Sequence, residues 1–468
     1  MNRDAFAVDL DALVALLPRY ATEGPRYTSY PTAPTWTESY GPLQLREDLA
    51  HGDVEASDGL SLYVHVPFCE SLCHYCACNK LITKDHARAG AYLDSLEREV
   101  AAVRECVRVP RTATQIHWGG GTPTWLQPDE IRRLFHALVQ AFPVRDGAEI
   151  SIEVDPRVTT RGHLEALAEC GFNRISMGVQ DFDPRVQEAV HRIQSAQQTG
   201  ALASAARDAG FESVNFDLIY GLPYQSVESF ERTLESVFAI GPDRIALYSY
   251  AHVTWVAKQQ RGFERKDLPD AATKLRIMTT AIRRFLDAGY LFIGLDHFAR
   301  PDDELARALA DRTLRRNFMG HTTQAGVDLL GFGPSAISEL RASYAQSVRE
   351  EPEWRRAIAE RGLATMRGHR LSRDDQERRW IIGRVLCHGE LRASEFQEAF
   401  GRDLAEVYRA ELASLEPAER DGLLVRHADG GFSVTPTGRL LVRNLAMAFD
   451  AYLEGQRRSG QRMFSKTV

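Results

Sequence analysis

From about residue 61, short apolar, β-branched runs alternate with amphipathic helical patterns, and this alternation limits the fold more than any other feature of the chain. The runs are SLYVHVPF, TQIHWGG, EISIEVD, RISMGVQ, SVNFDLIYG and RIALYSY; between them lie helical segments such as AYLDSLEREVAAVREC, PDEIRRLFHALVQAF and SFERTLESVFAIG. Strands that follow one another through helices make a parallel sheet with right-handed crossovers. Six such units make either an open doubly wound sheet or a partial barrel, and the pattern does not choose between them. In both, reacting groups belong at the carboxyl ends of the strands.

The flanks read differently. Residues 1–60 hold one amphipathic helix and then GPRYTSYPTAPTW, too rich in proline for regular helix, which is expected to be an extended arm packing on the active site. Residues 61–300 are the α/β body, and 301–365 extend and connect it, with GVDLLGFGPSAISEL read as a Gly-rich turn region. Residues 366–468 read as helices with one small hairpin, LLVRHADGGFSVTP, a winged-helix-like module. The formal net charge is -7 and that module has no basic helix, so it is expected to be a structural lid and not a DNA reader. No apolar run is long enough for a spanning helix and the N-terminus lacks an export pattern, so a cytoplasmic protein is expected.

A reducing interior makes disulfides a poor use for cysteines. Four of the seven cysteines nevertheless crowd into YVHVPFCESLCHYCACNK, at Cys69, Cys73, Cys76 and Cys78. Cys106, Cys170 and Cys387 are scattered in helical patterns and read as small buried hydrophobes. A zinc site would recruit His65 or His74, but no second Cys/His pair follows at zinc-knuckle spacing. A thioredoxin-type pair would use Cys73 and Cys76 and leave Cys69 and Cys78 unexplained. An iron–sulfur cluster needs several thiolates supplied by one short loop.

Cys-x3-Cys-x2-Cys directly after a strand resembles the radical S-adenosylmethionine (SAM) enzymes. That resemblance implies a partial (β/α)6 barrel with a [4Fe–4S] cluster held by Cys69, Cys73 and Cys76, whose open fourth iron chelates SAM. Cys78 is then expected not to bind the cluster. GPRYTSYPT, HWGGGTPT, DHFARPDDELA, GRLLVRN and the Cys-Asn-Lys after the triplet occur in order, from about Gly24 to the terminal MFSKTV. Together they resemble the bacterial oxygen-independent coproporphyrinogen III oxidases over nearly the whole chain.

The glycines of HWGGGTPT serve a tight βα turn, yet three exceed what a turn needs, and in the superfamily such a loop binds the SAM amino group. By the same resemblance, Gly120, Gly121, Thr122, Glu153, Gln180, Arg192 and Asp217 contact SAM, with Tyr63, Tyr75, Ala251 and Ile337. Carboxylates suit ribose hydroxyls, and an arginine suits a carboxylate. Two SAM molecules are implied. So are coproporphyrinogen III as substrate, an electron donor such as flavodoxin or ferredoxin, and a monomer without nucleic-acid or membrane partners.

The implied reaction turns two propionates into vinyl groups in heme biosynthesis, giving protoporphyrinogen IX. No side chain removes an unactivated hydrogen at neutral pH, so a 5'-deoxyadenosyl radical made from SAM does so, and no catalytic residue is assigned beyond the cofactors. Arg26 and Arg300 are candidates to meet the propionates, with surface ion pairs as the plainer reading of each. Ala77 stands where the family has glycine, and Met319 and His321 where it has Gln and Tyr. The rival function is a heme-binding chaperone of the same superfamily, which lacks the arm and the Cys-Asn-Lys; a zinc-binding structural protein is the second.

Overall fold

The computed structural model describes residues 10–51, 59–254, 258–324, 326–458 and 464. The chain divides into two compact units. One holds Thr37–Ala288 and Gly326–Arg370; the other holds the chain up to Trp36, Gly289–Ala325 and the chain from Leu371 on.

The first unit is built on six parallel strands laid side by side in chain order: β1 (Gly59–Val66), β2 (Thr112–Gly120), β3 (Val144–Val154), β4 (Arg174–Gln180), β5 (Ser213–Tyr220) and β6 (Arg244–Ser249). Helices α1 (Arg88–Cys106), α2 (Pro128–Ala141), α3 (Arg161–Glu169), α4 (Ala196–Asp208) and α5 (Val227–Ile240) make the crossovers, and α6 (Ala271–Asp287) follows β6. Each of the six expected runs forms one of these strands, and the partial barrel stands.

Side chains alternate across a strand. One face presents Val64, Trp118, Ile152, Met177 and Phe216, all fully buried with Leu134 and Leu138 of α2, Leu167 of α3 and Leu234 of α5. Burial of each such side chain contributes about 1.5–3 kcal/mol. The opposite face of the same strands is polar, and that is where the candidate site lies. Local signals start the helices. Gln127 and Glu130 form a capping box before Pro128, and Ser195 and Ser226 accept from the backbone N–H of Gln198 and Ser229.

GVDLLGFGPSAISEL is not a turn region. It forms β7 (Asp328–Phe332), parallel to β1, and β8 (Ile337–Leu340), antiparallel to β7. Then β9 (Ser343–Ser347) and β10 (Thr365–Arg370) complete the order β10-β9-β8-β7-β1-β2-β3-β4-β5-β6. The glycines misled because they serve close approach, one inside β7 and one just past its end. A Cβ on Gly331 would run into the Ile337 backbone, and Gly333 has φ +96° against the His65 carbonyl.

In the second unit the arm is buried: Leu13, Leu17, Tyr27, Tyr30 and Trp36 all lie in the core. The Tyr27 hydroxyl donates to Asp450 at 2.9 Å, and the Tyr30 ring meets Tyr452 edge-on at 6.0 Å. The expected hairpin is present, Leu424–Arg426 against Phe432–Val434, with Glu390–Leu391 as a third short strand. Met319 and His321 lie at the hairpin Arg315–Asn317/Gly320–Thr322, with His321 edge-on to His297 at 5.0 Å. Arg26 pairs with Asp296 at 2.7 Å, and Arg300 is exposed. Residues 1–9 and the terminal MFSKTV, apart from Phe464, lie outside the described residues. Among the described residues no helix is long and apolar enough to cross a membrane.

Candidate active site

The strand registers set Tyr63 beside His117, His117 beside Ser151, Glu153 beside Ser176, and Gly178 beside Asp217. One row of polar side chains therefore crosses the barrel interior near the carboxyl ends of β1–β5. The Tyr63 ring stacks on His117 at 6.0 Å. Its hydroxyl meets His65 Nδ1 at 3.0 Å, while His65 Nε2 donates to the Asn79 carbonyl at 2.9 Å, which fixes Nδ1 as the acceptor. Glu153 accepts from the Gly120 N–H at 3.2 Å and faces His117 Nε2 at 3.5 Å. Asp217 accepts from Asn215 at 2.9 Å and Ser176 at 3.2 Å. Burial, with the Glu153 carboxylate nearby, pushes the Asp217 carboxyl up to about 7.

The glycine loop is held against the cysteine loop. Gly121 N–H donates to the Val66 carbonyl and Thr122 N–H to that of Phe68, both at 2.8 Å, and Thr122 Oγ1 lies 3.5 Å from Cys69 Sγ. Each glycine also has a steric reason of its own. A Cβ on Gly120 (φ +115°) would stand 2.7 Å from the His65 ring, and one on Gly121 2.7 Å from the Phe68 carbonyl oxygen. The number of glycines therefore needs no ligand to account for it.

Cys69, Cys73 and Cys76 share one loop, with Cys73 buried, Cys69 and Cys76 half-buried and Cys78 exposed. Burial pushes the Cys69 thiol up to about 11. A hydrogen bond from Cys78, with Lys80 nearby, draws Cys76 down to about 6. Both histidines of the zinc reading are engaged elsewhere: His65 as above, and His74 Nδ1 at 3.1 Å from the Ala189 carbonyl. Among the described residues no three His, Cys, Asp or Glu side chains are arranged to hold a metal ion. The donor set, three thiols on one short loop, fits an iron–sulfur cluster. Ala77 is exposed and has no positive φ, so its methyl group meets no backbone strain.

Three further residues lie around this loop. Gln180 ends β4 with φ +68°, and its buried Oε1 has no hydrogen-bond partner among the described residues, as a ligand-facing acceptor would. Arg192 donates to the Gly178 carbonyl at 2.6 and 3.1 Å and to Asp155 at 2.9 Å, and its Nη1 lies 3.5 Å from Cys73 Sγ. Tyr75 packs on the apolar cluster of Val186, Val190, Leu222, Tyr250 and Phe263. Ala251 follows β6 just after Tyr250, and Ile337 opens β8, away from the cysteine loop in sequence but in the same unit.

Sequence reading missed Asp155 and Arg157. Burial opposes ionisation of Asp155, but Arg192 and Arg157 outweigh it and hold the carboxyl down at about 2. Asp-Pro-Arg after a strand reads as a turn, and the contact of Arg157 with Cys73 leaves no trace in local pattern.

A parallel (β/α)6 barrel with a three-thiol loop directly after its first strand defines a radical SAM protein, and the model of the radical SAM superfamily matches residues 63–237. The HemN C-terminal domain matches residues 371–441. The oxygen-independent coproporphyrinogen III oxidase of Salmonella typhimurium is 45% identical over 98% of this chain and 99% of its own length. That of Pseudomonas aeruginosa is 42% identical over 97% and 98%. The solved Escherichia coli structure, described as coproporphyrinogen III oxidase (HemN) and a radical SAM enzyme, superposes with a TM-score of 0.89. It is 42% identical and covers 96% of this chain and 100% of that one. The chain belongs to the oxygen-independent coproporphyrinogen III oxidases.

Proposed function

We propose that this chain carries out the reaction its relatives are named for, the anaerobic oxidative decarboxylation of two propionates of coproporphyrinogen III to vinyl groups, giving protoporphyrinogen IX. The observation that carries this is likeness to the oxidases along 98% of the chain, arm and C-terminal domain included. The chaperone alternative has no comparable support.

In this reading Cys69, Cys73 and Cys76 hold the [4Fe–4S] cluster and Cys78 does not. When bound, the cluster and SAM supply the one-electron chemistry that removes a hydrogen atom from a propionate β-carbon. The chain's own residues bind and orient. Glu153 and Asp217 accept from ribose hydroxyls, Gln180 Oε1 accepts from a SAM donor, and Arg192 meets the SAM carboxylate. Gly120, Gly121 and Thr122 lie against the SAM amino group, and Tyr63, Tyr75, Ala251 and Ile337 contact the rest. Two SAM molecules, a flavodoxin or ferredoxin as electron donor, a monomeric state in the cytoplasm and an arm lying over the pocket belong to the same proposal. So does a division of labour between residues 61–300 as catalytic barrel and 366–468 as lid.

The test is an anaerobic assay of reconstituted protein with coproporphyrinogen III, SAM and a reductant. Protoporphyrinogen IX is expected, and its formation should vanish in Cys69→Ser, Cys73→Ser and Cys76→Ser while Cys78→Ser keeps its iron. Full iron content in the first three variants would overturn the ligand assignment.

A further inference from the structure

Asp155 stands just past the end of β3, 7% exposed, and one carboxylate holds two guanidinium groups. It accepts from Arg157 Nη2 at 2.7 Å and Nε at 3.0 Å, and from Arg192 Nη1 at 2.9 Å. Both arginines also reach one sulfur: Arg157 Nη2 lies 3.4 Å and Arg192 Nη1 3.5 Å from Cys73 Sγ. A fork that grips a carboxylate on one side and presents N–H to a sulfur on the other is an arrangement arginine makes and lysine does not.

The two arginines differ in their other duties. Arg192 carries the Gly178 carbonyl as well, and in the proposed function it also serves SAM. Among the described residues Arg157 has one further contact, a weak one to the His191 carbonyl at 3.4 Å. Hydrogen bonds to cluster sulfurs and positive charge beside them raise the reduction potential, because they stabilise the added electron.

We propose that Arg157, oriented by Asp155, is a positioning residue that donates to the Cys73 thiolate and raises the reduction potential of the bound cluster. This rests on Cys73 being a cluster ligand. Arg157 sets how readily the cluster accepts its electron, and SAM binding is left to other groups.

The experiment is a potentiometric titration of the reconstituted holoprotein, followed by electron paramagnetic resonance, with iron per chain and SAM affinity measured on the same samples. Arg157→Gln is expected to lower the midpoint potential with iron content and SAM affinity unchanged. Arg157→Lys, which keeps the charge but not the fork, should fall between. Turnover of Arg157→Gln should drop more with a weak electron donor than with a strong chemical reductant. An unchanged potential in a fully loaded Arg157→Gln protein overturns the inference. So does a loss of SAM affinity at constant potential, which would make Arg157 a SAM-binding residue, and so does failure of both variants to load iron, which would make it an assembly residue. Wild-type protein that binds no iron would instead sink the cluster reading itself.

Discussion

Gly119 faces Glu153 with no room for a methyl group: a Cβ on Gly119 would stand 2.9 Å from the Glu153 carboxyl carbon and 3.0 Å from each of its oxygens. Gly119 has no positive φ, so the obstacle is contact and not backbone conformation. Gly119→Ala should therefore displace the carboxylate and cost about 1–3 kcal/mol of stability. With Glu153 moved, SAM affinity of the holoprotein is expected to fall by roughly tenfold, the equivalent of one charged hydrogen bond. Equilibrium dialysis against SAM, beside a denaturant titration, checks both.

Asp217 gives stability a pH dependence of known sign. Its folded pKa, about 7, lies above that of an unfolded aspartate, so the folded protein holds the proton more tightly. The contribution is fully present below about pH 4 and is lost as pH rises through 7. Asp217→Asn lacks this loss, and its stability relative to wild type should grow between pH 4 and pH 8 by about 2 kcal/mol after allowing for solvent access. Thermal melts of the two proteins at a series of pH values measure it, and parallel curves would contradict it.

Arg111 and Asp328 form a buried ion pair at 2.6 Å that ties the chain before β2 to the start of β7. Arg111 also donates to the Gly59 carbonyl, and Asp328 accepts from the Arg341 N–H, both at 2.8 Å. Asp328→Ala strands a buried guanidinium and should cost about 3–5 kcal/mol. Because the pair lies at the amino ends of the strands, iron content and SAM affinity of the surviving folded protein should match wild type.

The arm needs a gentler probe than truncation. Removal of residues 1–35 would be expected to spare cluster assembly and abolish decarboxylation, but it also strips Leu13, Leu17, Tyr27 and Tyr30 from the core of their unit. Arg26→Ala removes an ion pair with Asp296 whose side chains are 34% and 21% exposed, a pair worth less than about 1 kcal/mol. A raised KM for coproporphyrinogen III with little change in melting temperature would support a substrate role for Arg26. An unchanged KM would leave it a structural pair.

The six barrel strands were legible because their alternation is physical. Trp118 and Phe216 turn to the helices, while Tyr63, Glu153 and Asp217 turn to the interior. β7 and β8 were illegible because Gly331, and Gly333 just past β7, read as turn formers, while Gly333 in fact answers to His65, distant in sequence. The same holds for Arg157, whose meaning lies in a sulfur 84 residues away. The cysteine spacing is local, so the sequence displays the loop directly, and which of its thiols hold a cluster belongs to the proposed function. Ala77, where the family has glycine, sits at a position with no positive φ.

β1 pairs with β2 on one side and with β7 on the other, and these neighbours reach it at very different times. β1 ends at Val66 and β7 begins at Asp328, so about 260 residues separate them, roughly 10–50 s of synthesis at ~5–20 residues per second. For that interval one edge of the strand that leads into the cysteine loop is open to any extended segment in the cell. A nascent chain stalled before residue 328 therefore carries the strand that leads into the cysteine loop with one edge uncovered.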